Sequence, residues 1–152
     1  MTTQMWTVVM IRGTTRGTTT QTVVLEGLKK ERCSQLQSCV GMYEPVDKTL
    51  VGGRRLWKLR SLIGEESYLS WAAEKLRWEV SVPADASKTA CVMYAEATCG
   101  PCDCSIWRVF DKSWESEGWV KEKTLKFRVL LEGERESQIR RLEEQRERAL
   151  AR

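Results

Sequence analysis

Apolar and polar residues alternate with a period of two in several short stretches of the chain. The apolar positions of the clearest stretch, 75–82, are Leu76, Trp78, Val80 and Val82. This alternation is typical of a half-buried β-strand, whose side chains point to opposite faces in turn. Ala72-Ala73-Glu74 has the length of a tight hairpin loop. Pro83 is predicted to end the strand, because proline cannot donate a hydrogen bond to a neighbouring strand.

Further strand-like runs recur at short intervals along the chain. They are Trp6–Ile11 and Thr18–Leu25, joined by a glycine-bearing connector, and then Arg54–Leu59, Ser67–Trp71, Thr89–Ala97, Ser105–Phe110, Gly118–Val120 and Leu125–Leu131. Gly52-Gly53 predicts a turn, and the polar segment 27–39 predicts a short helix or a loop. We therefore expect a mainly β protein, an antiparallel meander that forms a small sandwich or barrel.

The last part of the chain has a different character. From Glu134 to Arg152 it has no Gly or Pro, and it is rich in Glu, Arg, Gln, Leu and Ala. Opposite charges four residues apart, such as Glu136 and Arg140, favour a charged α-helix. This helix either docks lightly on the sheet or reaches a partner, and the alternative is a frayed tail. The expected organisation is an all-β domain over 1–131, with an N-terminal hairpin at 6–25 and a core at 22–129, followed by a helical extension over 132–152.

Composition and charge narrow the range of functions. The chain has 152 residues, which predicts a single domain, and it contains no histidine. A Ser-His-Asp triad, a Cys-His pair and a histidine-containing zinc site are therefore excluded. The net charge of +4 is mild, and the densest basic stretch (Arg54, Arg55, Lys58 and Arg60) is expected to be a solvated strand face. Nucleic acid is therefore not an expected partner.

No stretch of the sequence reaches the roughly 20 apolar residues needed to cross a bilayer. Six cysteines are too few for a disulfide-stapled small protein, so reduced thiols and an intracellular location, cytoplasmic or organellar, are expected. No glycine-rich phosphate loop is present, and no cofactor is expected.

A series of short motifs runs through the chain in a fixed order. They are Gly41-Met42-Tyr43, Val51-Gly52-Gly53-Arg54-Arg55, Tyr68-Leu69, Trp78-Glu79-Val80, Cys99-Gly100-Pro101 and Trp107-Arg108-Val109-Phe110-Asp111. The order resembles a β-module of roughly 100 residues that recurs, often in tandem, in proteins of unicellular algae and alveolates. The resemblance covers Thr22 to Val129, although Gly52-Gly53-Arg54-Arg55 departs from the Asn-Gly-Arg-Pro of that module. It implies a compact all-β recognition or scaffold unit with no known catalytic role.

Five tryptophans lie in strand-like runs. They are Trp57, Trp71, Trp78, Trp107 and Trp119. We expect them to form the core, since each can bury about 200 Å². The alternative is an exposed stacking platform for sugars or bases, helped by the basic stretch at 54–60.

Cys99-Gly100-Pro101-Cys102 is identical to the redox dithiol of thioredoxins. In that hypothesis Cys99 is the nucleophile and Cys102 the resolving thiol. Three features oppose it: Thr98 precedes the first cysteine where thioredoxins usually have Trp, the residues after Cys102 predict a strand, and no proline follows residue 101 to form the loop that thioredoxins place against the dithiol. A second alternative is a zinc site with Cys99, Cys102 and Cys104 as ligands. A third is a disulfide from Cys99 to Cys102 or Cys104, or from this loop to Cys33 or Cys39.

The favoured function is therefore a non-catalytic protein–protein interaction or scaffold module, with other protein subunits as partners, acting as a small accessory subunit of a larger assembly. A thiol–disulfide oxidoreductase and a carbohydrate- or nucleic-acid-binding module are the alternatives.

Overall fold

The computed structural model describes residues 21–61, 66–85, 88–111 and 118–151. Within these ranges the protein is mainly β, as predicted, with nine strands and two α-helices. The elements in chain order are β1 (Val23–Glu26), α1 (Ser34–Gln37), β2 (Gly41–Val51), β3 (Arg54–Leu59), β4 (Tyr68–Ala72), β5 (Arg77–Asp85), β6 (Lys88–Ala95), a 3₁₀ turn (Pro101–Asp103), β7 (Trp107–Phe110), β8 (Trp119–Glu122), β9 (Lys126–Val129) and α2 (Glu132–Leu150).

The strands form one antiparallel sheet in the order β8-β7-β6-β5-β4-β3-β2-β1-β9, curled into a half-barrel. The two strands at its ends, β8 and β9, follow each other along the chain with only residues 123–125 between them. Because every neighbouring pair is antiparallel, these two strands run in the same direction. Parallel strands that pair side by side need a connection of a dozen or more residues. The connection at 123–125 is too short for that, so β8 and β9 do not pair with each other. The chain therefore continues from β8 into β9 and changes its pairing partner from β7 to β1, which draws the ends of the sheet together.

Aromatic side chains fill the inner face of the half-barrel. Trp57, Trp71, Trp78 and Trp107 are all buried, which confirms the predicted core for four of the five tryptophans. Their rings meet edge to face, with centroids 5.4 Å apart for Trp71 and Trp78 and 5.3 Å for Trp107 and Phe127. Aromatic pairs prefer this geometry, which adds to the stabilisation from burial.

Two details of the predicted strands are wrong. Leu76 is not an inward strand residue: it lies in the turn before β5 with a φ of 53°, and 59% of its surface is exposed. Pro83 does not end β5, which continues to Asp85. The pairing of β5 with β6 shifts between Pro83 and Asp85, and proline is tolerated at such irregularities. The predicted hairpin at 6–25 lies mostly outside the described residues, and its last positions belong to β1.

The segment between β1 and β2 packs against the same core as the inward strand residues. Leu36 of α1 and Cys39 are fully buried there. The sequence left open whether segment 27–39 forms a short helix or a loop, and the structure shows a four-residue helix there. It is held by its packing, since a helix of this length is not stable alone.

Helix α2 lies on the opposite, outer face of the sheet. Ile139 and Leu142 pack on a small apolar cluster of Val24, Met42 and Leu130. Ion pairs reinforce the contact, with Arg135 donating to Glu44 at 2.7 Å and Glu134 lying 3.1 Å from Arg128. The predicted C-terminal helix is confirmed, and of the arrangements that the sequence left open the structure shows light docking on the sheet, while residues 143–150 are all exposed. Among the described helices, none is long and apolar enough to cross a membrane.

Candidate functional site

The cysteine-rich loop surrounds a short 3₁₀ turn and not the start of a long helix. Cys102 is in the 3₁₀ turn at Pro101–Asp103, Cys99 precedes it and is exposed, and Cys104 is buried after it. Burial raises the pKa of the Cys102 thiol to about 11, with the nearby Asp103 acting in the same direction. Burial, followed by the neighbouring Cys99, raises the pKa of Cys104 to about 12. The first thiol of a redox dithiol is activated at the start of a helix, whereas Cys99 precedes a 3₁₀ turn of only three residues, so the redox alternative gains no support from this geometry.

The metal and disulfide alternatives also gain no support from the structure. None of the six cysteines forms a disulfide. In the described ranges no three Cys, Asp or Glu side chains lie together in a way that could hold a metal ion, and this includes Cys99, Cys102 and Cys104.

The same loop has a structural role that the sequence motifs did not indicate. The carbonyl oxygen of Cys99 accepts a hydrogen bond from Trp78 Nε1 at 2.6 Å and one from Arg54 at 3.4 Å. The Arg54 guanidinium also lies 3.9 Å from the ring centroid of Trp71. The loop therefore provides the hydrogen-bond acceptor for the indole N–H of Trp78, and Arg54 adds a cation–π contact to Trp71.

The basic stretch at 54–60 is largely engaged within the protein. Besides Arg54, Arg60 forms an ion pair with Glu44 at 2.9 Å. Lys58 lies 5.8 Å from the ring centroid of Tyr68. Because Trp57, Trp71, Trp78 and Trp107 are buried, they do not form the exposed stacking platform that was the alternative to a tryptophan core.

A buried ion cluster ties the segment after β1 to strands β7 and β8. Arg32 donates to both oxygens of Glu122, at 3.1 and 2.9 Å, and lies 3.6 Å from Asp111. Burial by itself would raise the pKa of Glu122, but hydrogen bonds from Arg32 and from the Lys29 backbone N–H outweigh it and lower that pKa. No local pattern marks one arginine among many as buried, so the sequence did not indicate this cluster.

The outer face of strands β6–β8 carries half-exposed aromatic side chains. Phe110 and Trp119 lie directly opposite each other in the β7–β8 pairing, while their inward neighbours Val109 and Val120 belong to the core. Tyr94 of β6 lies on the same outer face and is paired with Arg108. Tyr94, Phe110 and Trp119, together with the flanking cations Arg77, Arg108 and Lys121, are called the outer patch below.

The three rings of the outer patch contact one another but remain half-exposed. The centroid of Trp119 lies 4.9 Å from that of Tyr94 and 5.3 Å from that of Phe110, with the rings inclined by 64° and 60°. Gly118, with a φ of 88°, lies against Phe110, and any side chain there would overlap that ring. The sequence placed Trp119 in the core, and this was wrong. The alternation along β7 indicates the correct orientation. Trp107 and Val109 face inward, so Phe110 faces outward, and Trp119 lies directly opposite Phe110 on the same face.

Cations flank these rings, and two of them have no carboxylate partner among the described residues. The Arg77 guanidinium lies 4.0 Å from the ring centroid of Tyr94 and pairs with Glu79 at 2.8 Å. Arg108 and Lys121 lie directly opposite each other on neighbouring strands. Neither forms an ion pair with any Asp or Glu in the parts of the chain described above. Like charges opposite each other in a sheet destabilise it.

A hollow of about 400 Å³ adjoins the outer patch at the end of these strands. Its described lining is mostly apolar and includes Phe110, Trp119, Cys91, Val82, Val92 and Pro83. A larger cleft of about 710 Å³ lies at the start of α2, where Arg60 and Arg135 both pair with Glu44. The charges of that second cleft are engaged with one another, so the hollow beside the outer patch is the better candidate for binding.

Comparison of the chain with protein-family models, with curated proteins and with solved structures found no match in any of the three. The resemblance to the algal and alveolate β-module therefore stays a prediction.

Proposed function

We propose that this protein is a non-catalytic protein–protein interaction module, acting as a scaffold or a small accessory subunit, and that the outer patch is its binding surface. The observation that carries the proposal is a set of three half-exposed aromatic rings that contact one another on an outer sheet face, with Arg77 over the ring of Tyr94. Tyrosine, tryptophan and arginine are the residues that contribute most to protein–protein binding energy.

The geometry suits an interface for a second reason. The rings are held in place by one another and by Arg77 before any partner arrives. Binding then costs little side-chain entropy, which is what makes rigid aromatic side chains effective anchors. Trp119 lies between the other two rings, so its truncation should remove most of the contact. We expect Trp119→Ala to weaken partner binding by about thirtyfold, the effect of a single hot-spot residue.

A site-specific photo-cross-linking experiment tests the proposal. A photoreactive phenylalanine analogue replaces Trp119 in one variant and Tyr68 in a control. Tyr68 is a suitable control, because it is also half-exposed and lies near a cation, Lys58, but on another part of the sheet. Each full-length variant is cross-linked in extract from the source organism, and any captured protein is purified for binding measurements.

Support requires a specific pattern. One protein should cross-link from position 119 and not from 68, and it should bind the purified chain. Trp119→Ala should weaken that binding, while Tyr68→Ala leaves it unchanged. Equal cross-linking from both positions, or equal binding by the two alanine variants, would reject the outer patch as the surface. Reduction of insulin by the protein, lost in Cys99→Ser, would reject the non-catalytic part of the proposal.

A further inference from the structure

We infer that the outer patch binds an acidic protein segment that carries one apolar anchor side chain. This inference rests on the proposed function and names the chemistry of the partner. It depends on three observations: two cations without a carboxylate partner among the described residues, the apolar hollow, and the arrangement of the aromatic rings.

The charges of the outer patch call for a negative partner. Arg108 and Lys121 face each other across β7 and β8 and have no carboxylate partner among the described side chains. Their repulsion destabilises the unbound sheet. An Asp or Glu placed between them would relieve the repulsion and gain two charge-assisted hydrogen bonds. Glu79 does not serve this purpose, because it already pairs with Arg77 and Lys75.

The hollow beside Trp119 can accommodate the apolar anchor side chain of the proposed partner. It has about 400 Å³ of space and a mostly apolar lining, which is enough for one aromatic or aliphatic side chain with space to spare. A peptide whose anchor enters this hollow would pass over Phe110 and Trp119 and bring its neighbouring residues to the two cations. Apolar anchors in pockets, surrounded by charges, are the usual arrangement of tight interfaces.

The ring geometry favours a protein segment over a single-stranded nucleic acid. Base stacking needs open ring faces along which successive bases can lie. Here the rings are inclined by about 60° to each other, and Arg77 covers a face of Tyr94. The surface is therefore better shaped for an inserted side chain than for a stacked base.

Selection from a library of short random peptides tests the inference. The full-length chain is the bait, and the selection is repeated with the charge-reversed double variant Arg108→Glu/Lys121→Glu. The matched control is Lys58→Glu/Lys126→Glu, which changes net charge equally but alters exposed strand lysines away from the outer patch. Circular dichroism confirms that each variant is folded. A selected peptide is then synthesised, and its affinity is measured by fluorescence anisotropy, with an oligouridylate as the nucleic-acid probe.

The wild type and the control should select peptides rich in Asp and Glu around one aromatic or aliphatic residue. The Arg108→Glu/Lys121→Glu variant should select basic peptides instead, and the chosen acidic peptide should bind it about tenfold more weakly than wild type. Failure to select any peptide, or selection of the same peptides by wild type and the charge-reversed variant, would overturn the inference. So would tight oligouridylate binding that is lost in that variant without acidic selection.

The two proposals fail in different ways. A partner cross-linked at position 119 whose contacting segment lacks Asp and Glu would overturn the acidic partner and leave the interaction module standing. Equal cross-linking from positions 119 and 68 would instead reject the outer patch itself.

Discussion

Replacing Arg32 by methionine removes a buried guanidinium and keeps most of the side-chain volume. The exposed fractions of the two side chains are 4% for Arg32 and 0% for Glu122, so water cannot take over the lost hydrogen bonds. Breaking one partner of a buried pair costs about 3–5 kcal/mol, because the other charge stays buried without compensation. We expect Arg32→Met to lower the free energy of unfolding by this amount near neutral pH.

The pH dependence of this loss provides a sharper test. In the wild type the folded pKa of Glu122 is below its usual value of 4.5, so its stabilising contribution is present above about pH 4.5 and is lost as pH falls through the folded pKa. In Arg32→Met we expect burial to dominate over the remaining Lys29 backbone hydrogen bond and to raise the pKa of Glu122. The folded variant then binds a proton more readily than the unfolded chain, and its stability rises as pH falls from neutral. The difference between the two proteins should therefore shrink between about pH 7 and pH 5.

Urea unfolding followed by tryptophan fluorescence measures both quantities. Arg60→Met is the matched control, because Arg60 and Glu44 are partly exposed and such a pair is worth about 1 kcal/mol or less. The double variant Arg32→Met/Glu122→Leu should recover most of the lost stability, since it leaves no unpaired carboxylate on β8. A loss below about 1 kcal/mol for Arg32→Met, or a loss that does not change with pH, would refute the assignment of Glu122 as a buried carboxylate stabilised by Arg32.

Three further predictions concern the turn, the helix and the thiols. Gly118→Ala should lower the melting temperature more than Gly53→Ala, because both glycines have positive φ but only at Gly118 would a side chain overlap Phe110; equal losses would contradict this packing. Leu142→Ser should increase amide hydrogen exchange throughout α2 while the sheet stays protected, whereas unchanged exchange would mean that the ion pairs alone hold the helix. Cys104 should react with iodoacetamide near pH 8 about a thousandfold more slowly than an ordinary thiol, because its pKa is raised to about 12, and rapid labelling seen by mass spectrometry would contradict its burial.

The strands were predictable because most of them have one buried and one exposed face. The alternation around Trp57, Trp78 and Val109 places β3, β5 and β7 within a few residues of their observed bounds. The boundary at Leu76 was missed because a left-handed turn residue can continue an alternating pattern by chance. The continuation of β5 past Pro83 was missed because it depends on a pairing shift with β6, which has no local signature.

Features that depend on distant parts of the chain were not predictable. The buried pairing of Arg32 with Glu122 joins residues 90 positions apart, and nothing near either residue distinguishes it from an exposed charge. The outer patch is different, since its residues lie in predicted strands at positions opposite the core. The outer patch was missed because all five strand tryptophans were predicted to face inward, and Trp119 does not.

The pairing of the first described strand with the last has a consequence for biosynthesis. Glu26 of β1 and Arg128 of β9 contact each other across 102 positions of sequence. The second pairing partner of β1 is therefore synthesised only after almost the whole domain has been translated. Until then one side of β1 presents unpaired backbone N–H and C=O groups, which can template pairing with another nascent chain. A chain stopped or cleaved before β9 would keep that side open, and we expect such fragments to aggregate where the longer chain does not.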